Sequence, residues 1–155
     1  MPEKRYWLMK SEPDVYSMDD LVRDGKTFWD GVRNYQARNF LRDAMKSGDR
    51  VFFYHSNAEP SGIAGIAEIV RTGLPDRSAW DPKSPYFDPD SRENDPRWFG
   101  VEIRPVKKFR ELIALEKLKS IKSLDGMLLL RKGQRLSVQP VEESHWKIIL
   151  ELSAS

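Results

Sequence analysis

Residues Phe28–Leu41 read FWDGVRNYQARNFL, and this run gives the clearest indication of how the chain folds. In its second half, apolar residues recur at i, i+3, i+4 and i+7, at Ala37, Phe40, Leu41 and Ala44. This spacing is typical of a helix with one buried face, and it predicts a helix over residues 35–46. Asn34 precedes it, where a short polar side chain can accept a hydrogen bond from the first free backbone N–H groups.

The first half of the run contains more functional side chains than a connecting loop requires. Trp29, Asp30, Gly31 and Arg33 supply a flat aromatic surface, a carboxylate, a flexible turn and a cation directly before the helix. Two interpretations stay open on these residues alone. The tryptophan is either buried beside a solvated Asp/Arg pair, or it forms the wall of a pocket that stacks a planar ligand and hydrogen-bonds its edge.

Length and composition limit the class of protein. A chain of 155 residues with 39% hydrophobic and 32% charged residues is the size and composition of one soluble globular domain. No apolar run approaches the length of a membrane span, and residues 1–10 lack the hydrophobic region of a signal peptide. We therefore expect a cytoplasmic protein, or a nuclear one in a eukaryote. The absence of cysteine excludes disulfides, thiol catalysis and thiolate metal sites.

Charge is unevenly distributed although the formal net charge is only +2. Basic residues outnumber acidic ones between Arg104 and Arg135, and further arginines lie in the predicted helix. Acidic residues gather instead between Asp76 and Glu102. We interpret Asp76–Asp95 as a solvated acidic loop rather than a carboxylate cage for a metal ion, because no calcium-loop pattern occurs there. This asymmetry is typical of a surface with one positive face that attracts phosphate groups.

The order of the predicted elements indicates the fold class. Strands are predicted at Tyr6–Met9, Arg50–Tyr54, Gly62–Arg71 and Trp98–Val106. Helices are predicted between Ser17 and Gly25, at Glu111–Lys119, Leu124–Leu130 and Glu142–Leu152. A long loop is expected at Leu74–Pro96, and Arg135–Pro140 is a strand or a loop. Because strands and helices do not alternate regularly, we expect an α+β protein with a curved or barrel-like sheet and flanking helices.

Several kinds of chemistry find little support. His55 and His145 are the only histidines and have no zinc-like spacing, so no metal site is predicted. No dinucleotide fingerprint or phosphate loop occurs, so no cofactor is predicted, and no nucleophile elbow surrounds Ser56. An enzyme is therefore less favoured than a binding module, although the sequence leaves that choice open.

Stacking of aromatic side chains on a nucleic-acid base fits the composition better than metal, cofactor or nucleophile chemistry does. Flat side chains are available at Trp29, Tyr35, Tyr54, Trp80 and Trp98, whereas Trp7 and Trp146 are predicted to be core. Side chains that can hydrogen-bond a base edge are Ser11, Asn34, Gln36, Ser56 and Ser137. Cations that can contact phosphate are Lys10, Arg33, Arg38 and Arg135. A pocket for a single base requires that base to be flipped out of the stack.

The chain resembles the EVE domain family over nearly its whole length. The resemblance rests on five motifs in order: YWLMKSEP at 6–13, WDGVRNYQARN at 29–39, FYHS at 53–56, GIAG at 62–65 and RLSVQP at 135–140. It implies a single domain over residues 1–155 with a PUA-like fold, a mixed β pseudo-barrel flanked by helices. It also implies kinship with YTH domains, which hold a methylated adenine of RNA in an aromatic cage.

The resemblance further implies a reader of a modified base, notably a modified cytosine in DNA, and an association with restriction nucleases. The implied base pocket consists of Lys10, Ser11, Trp29, Val32, Asn34, Tyr35, Tyr54, His55 and Ser56. The residues implied to meet the nucleic-acid backbone or brace the motif are Arg33, Arg38, Arg135 and Ser137. The alternative is an enzyme of the related ASCH type that acts on RNA or a nucleotide. DNA or RNA as the target, the base modification and the oligomeric state stay open.

Overall fold

The computed structural model describes residues 4–154, which form a mixed six-stranded sheet in the order β2-β5-β4-β3-β1-β6. The strands are β1 Tyr6–Ser11, β2 Thr27–Trp29, β3 Arg50–His55, β4 Gly62–Pro75, β5 Phe99–Ala114 and β6 Val138–Val141. Strands β1 and β3 pair in parallel, and the other neighbouring strands pair antiparallel.

Helices cover both sides of the sheet. They are α1 Met18–Asp24, α2 Tyr35–Asn39, α3 Leu115–Lys119 and α4 Glu143–Ser153. A π-helical turn, Phe40–Ala44, continues α2, and short 3-10 helices occupy Arg77–Trp80, Lys122–Leu124 and Leu128–Leu130. Within residues 4–154, no helix has the length and apolar character needed to cross a membrane.

The sheet curves strongly, as predicted. Strands β2 and β3 are separated by β5 and β4, so in a flat sheet they would lie about 14 Å apart. Yet the rings of Trp29 on β2 and Phe53 on β3 meet edge to face, with centroids 5.5 Å apart. All six strands contribute side chains to the same buried cluster, together with residues of α1 and α2. The sheet therefore wraps around this cluster as a barrel-like layer.

A second buried cluster lies on the opposite face of the sheet. Because successive strand residues point to opposite faces, Leu8 and Phe52 join this cluster while their chain neighbours join the first. Trp146 of α4 stacks on Phe52 at 3.8 Å between ring centroids, which anchors the last helix. Trp7 belongs to the first cluster, and its indole N–H donates to the Asp49 carboxylate at 3.0 Å. The prediction that Trp7 and Trp146 are core is confirmed.

Local sequence signals account for two helix starts. Ser17 and Asp20 form a reciprocal capping box at the start of α1, and Gly25 ends that helix in the left-handed conformation at φ 78°. At the start of α2, the side-chain oxygen of Asn34 accepts a hydrogen bond from the Ala37 amide at 3.0 Å. The predicted cap of the central helix is thus present.

The structure corrects the prediction of a helix over Glu111–Lys119. Strand β5 continues to Ala114, where it pairs with Gly62 of β4, so the helix is limited to Leu115–Lys119. Backbone pairing with a distant strand overrides the local helical pattern here.

Three other boundaries also differ from the predictions. The expected helix over Leu124–Leu130 is two short 3-10 turns separated by Gly126, whose φ is +92°. Residues Thr27–Trp29 form a strand paired with β5, where no strand is predicted from the sequence. The helix predicted to reach residue 46 changes to π geometry at Phe40 and ends at Ala44.

Gly100 sets how closely β2 can approach β5, and its replacement tests that contact. A Cβ atom at this position would overlap the carbonyl oxygen of Trp29 and the ring of Phe28. We expect Gly100→Ala to lower the free energy of unfolding by about 2 kcal/mol or more, because overpacking forces the backbone to shift. Urea unfolding followed by circular dichroism measures this.

The control is Val106→Ala, at an exposed position of the same strand. Its free energy of unfolding should stay within about 0.5 kcal/mol of wild type. Equal stability of the two variants would contradict a close β2–β5 contact at Gly100.

Candidate nucleic-acid interface

A cavity of about 820 Å³ opens between the end of β1, the turn after β2 and the segment before β6. Its volume lies in the range of sites that hold a small molecule or a single nucleotide unit. The wall consists of Lys10, Ser11, Glu12, Val15, Tyr16, Thr27, Phe28, Trp29, Asp30, Gly31, Val32, Arg33, Ser56, Asn57, Tyr86, Gln134, Arg135 and Ser137.

Strand β2 and the turn after it place Trp29 in the wall. Trp29 pairs with Val101 of β5 and is only 8% exposed, so the sheet fixes its ring and leaves a small part of it facing the cavity. The turn continues through Gly31, which has φ +78°. The Tyr86 ring packs so closely on Gly31 that a Cβ atom there would lie 2.6 Å from it. Glycine is therefore required by both the backbone angle and the space.

The buried carboxylate of Asp76 fastens this turn to the loop after β4. Its Oδ2 accepts hydrogen bonds from the Gly31 amide at 2.8 Å and from Nη1 of Arg33 at 3.0 Å. Its Oδ1 accepts from the amide and hydroxyl of Ser78. Burial alone would raise the pKa of Asp76, but these hydrogen bonds outweigh it and hold the pKa below its ordinary value. Asp76 is thus not part of a solvated acidic loop.

Arg33 belongs to a stack of flat side chains. Its guanidinium lies 5.2 Å from the Trp98 ring centroid and 5.6 Å from that of Tyr86, and it donates to the Tyr86 carbonyl at 2.6 Å. The Trp98 ring stacks on Tyr35 at 4.9 Å, and Arg38 lies 4.8 Å from the Tyr35 ring centroid. The stack connects the cavity wall with the protein surface at α2.

The end of β1 contributes the opposite side of the wall. Lys10 is half-buried, with Nζ 5.9 Å from the Tyr54 ring centroid, and burial lowers the pKa of Lys10. The hydroxyl of Ser11 donates to the Tyr16 carbonyl at 2.6 Å, which fixes the chain after the strand. A cation beside an aromatic ring at the edge of a cavity is suited to contact an acceptor on a ligand.

The structure brings together most of the predicted site residues from four separate segments of the chain. Those in the wall are Lys10, Ser11, Trp29, Val32, Ser56, Arg33, Arg135 and Ser137. Arg33 is engaged with Asp76 and Tyr86, so within the wall it braces the turn, whereas Arg135 is exposed.

Three of the residues predicted for the pocket have structural roles outside the wall. The Asn34 side chain caps α2. Tyr54 is 3% exposed and packs in the second core cluster. His55 Nε2 accepts a hydrogen bond from the Met18 amide at 3.1 Å, and burial lowers the pKa of His55, which favours the neutral ring that can accept.

Tyr35 and Arg38 also lie outside the wall, on the surface of α2. Tyr35 is 52% exposed, and its ring stacks on Trp98. Arg38 donates to the Arg97 carbonyl at 3.0 Å and to Asn39. The helix that begins at Tyr35 turns both side chains away from the cavity.

The wall also contains residues outside the predicted site, among them Glu12, Asp30, Asn57, Tyr86 and Gln134. Tyr86 lies in the long loop, whose length and aromatic content were a signal of a functional segment. Burial in the wall and the nearby Asp76 carboxylate raise the pKa of Asp30. Across residues 4–154, no group of three or more His, Asp or Glu side chains is placed to hold a metal ion.

The fold places the protein in the PUA-like class of α+β proteins. An ASCH protein of Zymomonas mobilis superposes with a TM-score of 0.57 over 96% of this chain and 99% of its own. At 12% sequence identity, this likeness shows a shared fold and nothing more.

The family is defined more closely by sequence. The EVE domain family model matches residues 5–152, and the chain belongs to the EVE domain family. Thymocyte nuclear protein 1 of Homo sapiens is 42% identical over 165 residues, which cover 95% of this chain and 73% of that protein.

Two solved structures are similar along their whole length. A Pseudomonas syringae protein is 50% identical, with a TM-score of 0.92 over 96% of this chain and 99% of its own. Human thymocyte nuclear protein 1, solved in complex with DNA containing 5-methylcytosine, is 40% identical, with a TM-score of 0.92 over 98% of this chain and 99% of its own.

Asp76→Asn tests whether the buried carboxylate holds the cavity wall. The variant should lower the free energy of unfolding at pH 7 by about 3 kcal/mol, because it leaves Arg33 without its buried counter-charge. The pKa of Asp76 is lower in the folded than in the unfolded protein, so its stabilisation is lost as pH falls. The difference from wild type should therefore shrink below about pH 4. Urea unfolding across pH measures both effects.

Asp43→Asn is the matched control, because Asp43 forms an exposed ion pair with Arg42. It should change stability by less than about 1 kcal/mol. A similar small effect for Asp76→Asn, or a difference that does not depend on pH, would contradict the role of Asp76.

Proposed function

We propose that this protein is a binding module for DNA that contains a modified cytosine, and that the base is flipped into the cavity lined by Trp29. The observation that carries this proposal is the DNA complex of human thymocyte nuclear protein 1. That relative shares the fold at a TM-score of 0.92 and 40% identity over 98% of this chain. Its bound DNA contains 5-methylcytosine.

The cavity has the properties that a flipped base requires. Aromatic side chains of Phe28, Trp29 and Tyr86 line it, and stacking of a base on an aromatic ring contributes about 1–3 kcal/mol. That gain offsets the few kcal/mol needed to extrude a base from the duplex. Val32 provides an apolar wall, and Lys10 supplies a donor for an acceptor on the base.

The residues proposed to contact the DNA backbone differ in whether other protein groups already hold their side chains. Arg135 is exposed at the edge of the cavity with Ser137 close in sequence, so both are available to a phosphate. Arg38 lies outside the wall beside the exposed Tyr35, where it can contact a flanking nucleotide. Arg33 is held by Asp76 and Tyr86 and serves to brace the turn.

The geometry favours binding over catalysis. A catalytic site needs titratable groups within hydrogen-bond reach of one another. In the described part of the wall, the Glu12 carboxylate accepts a hydrogen bond from the Asn57 amide, and Lys10 makes no ion pair with Glu12 or Asp30. The ASCH protein shares only the fold, so its likeness does not support an enzyme acting on RNA or a nucleotide.

A binding titration at fixed salt tests the proposal. The probes are short DNA and RNA oligonucleotides that differ only in carrying cytosine, 5-methylcytosine, adenine or N6-methyladenine at one position. We expect the wild-type protein to prefer DNA with the modified cytosine. Trp29→Ala should weaken that binding at least about tenfold, because a stacking surface is lost.

Two further variants separate folding from binding. Trp29 is largely buried, so Trp29→Phe keeps an aromatic ring in the core and should give an intermediate loss of affinity. Tyr6→Ala removes an aromatic that stacks on Trp146 against the second core cluster, and it should leave the base preference unchanged. Equal binding to all probes, with no effect of Trp29→Phe in a folded protein, would refute the proposal.

Arg135→Gln tests the phosphate contact. The variant should weaken binding to modified and plain DNA by the same factor. It should also reduce the slope of log affinity against log salt by about 1, because one fewer counterion is released. Lys147→Gln is the control, since Lys147 pairs with Glu143 on α4 and lies outside the cavity wall. An unchanged salt slope for Arg135→Gln would show that Arg135 does not contact phosphate.

A further inference from the structure

Asp30 is a carboxylate in the cavity wall that lacks a partner side chain. It follows Trp29 directly and lines the same cavity. Within residues 4–154 it forms no ion pair, and its hydrogen bond is to its own backbone amide. The nearest arginine in sequence, Arg33, pairs with Asp76 instead.

The other carboxylate of the described wall is already satisfied. Glu12 accepts a hydrogen bond from Nδ2 of Asn57 at 2.6 Å. Partial burial against the wall and the Asp76 carboxylate raise the pKa of Asp30, and its own backbone N–H and the Arg33 charge oppose that shift only in part. The rest of the Asp30 side chain is exposed, so water solvates its carboxylate in the free protein. A ligand that displaces this water must offer a hydrogen-bond donor to the carboxylate in its place.

A pocket for 5-methylcytosine faces a particular problem of specificity. Thymine carries the same methyl group on C5, so an apolar wall and an aromatic ring accept both bases. The two bases differ at C4, where cytosine has the N4 amino donor and thymine has the O4 acceptor. An ionised carboxylate is only an acceptor, so it hydrogen-bonds the amino group and repels O4.

We propose that Asp30 selects cytosine-type bases over thymine by accepting a hydrogen bond from the N4 amino group. This inference rests on the proposed function and adds the residue that determines its specificity. Trp29 would stack on the ring of either base, whereas Asp30 would distinguish the N4 amino group of cytosine from the O4 atom of thymine.

The test is Asp30→Asn, which preserves the shape of the side chain. An asparagine amide can donate to O4 and accept from N3–H, which suits thymine. The probes are two DNA duplexes that differ only in 5-methylcytosine or thymine at one position. The base opposite is replaced by an abasic site in both, so that extrusion does not depend on base pairing.

The quantity measured is the ratio of the two affinities at fixed salt and pH 7. We expect the wild-type protein to bind the 5-methylcytosine duplex at least about tenfold more tightly than the thymine duplex, as one good edge contact allows. Asp30→Asn should reduce the ratio below about threefold, through weaker binding to 5-methylcytosine and stronger binding to thymine.

Asp30→Ala and Asp125→Asn complete the experiment. Asp30→Ala removes the acceptor without adding a donor, so it should lower the ratio without strengthening binding to thymine. Asp125→Asn neutralises an exposed carboxylate outside the wall and should leave the ratio at the wild-type value.

The outcomes distinguish this inference from the proposed function. A wild-type ratio in both folded Asp30 variants would refute the role of Asp30, while the preference for modified over plain cytosine could still hold. A wild-type protein that shows no preference for 5-methylcytosine over plain cytosine would refute the proposed function and this inference together.

Discussion

The buried carboxylate of Asp76 holds the candidate site together. It accepts hydrogen bonds from the Gly31 amide and the Arg33 guanidinium, although these residues are more than forty positions away in the chain. The backbone of Asp76 donates to the Trp98 carbonyl, which closes the long loop on itself. A carboxylate buried without such partners would be costly, and these contacts offset that cost. The turn after β2 and the loop after β4 are therefore fixed relative to each other.

That constraint explains how charge is arranged around the cavity. From the sequence alone, Arg33 is a candidate for contact with a phosphate. In the structure its charge is neutralised by the ion pair with Asp76, and Arg33 becomes part of the wall. Lys10 and Arg135 then remain as the cations of the wall, on other segments of the chain. Asp30 remains as the unpaired carboxylate beside the aromatic surface. This distribution suits a rigid pocket that binds an uncharged base inside and phosphates outside.

Much of the fold could be predicted because its signals are local. Helix caps at Ser17 and Asn34 depend on residues within three positions, and both are present where the sequence predicts a helix to begin. The strand at Arg50–His55 follows from β-branched and aromatic side chains. The helix predicted from Glu111 failed because pairing with β4 extends β5 to Ala114, and a pairing between distant segments has no local signature.

The sequence by itself determined the family, the α+β class, the run that contains Trp29 and eight of the residues found in the wall. Those features rest on motifs whose residues are neighbours in the chain. Only the tertiary structure decided that Tyr35 and Tyr54 lie outside the cavity, and that Asp76 and Tyr86 support its turn. The physical reason is that sheet curvature and long-range hydrogen bonds set the direction of a side chain, and residue type alone does not.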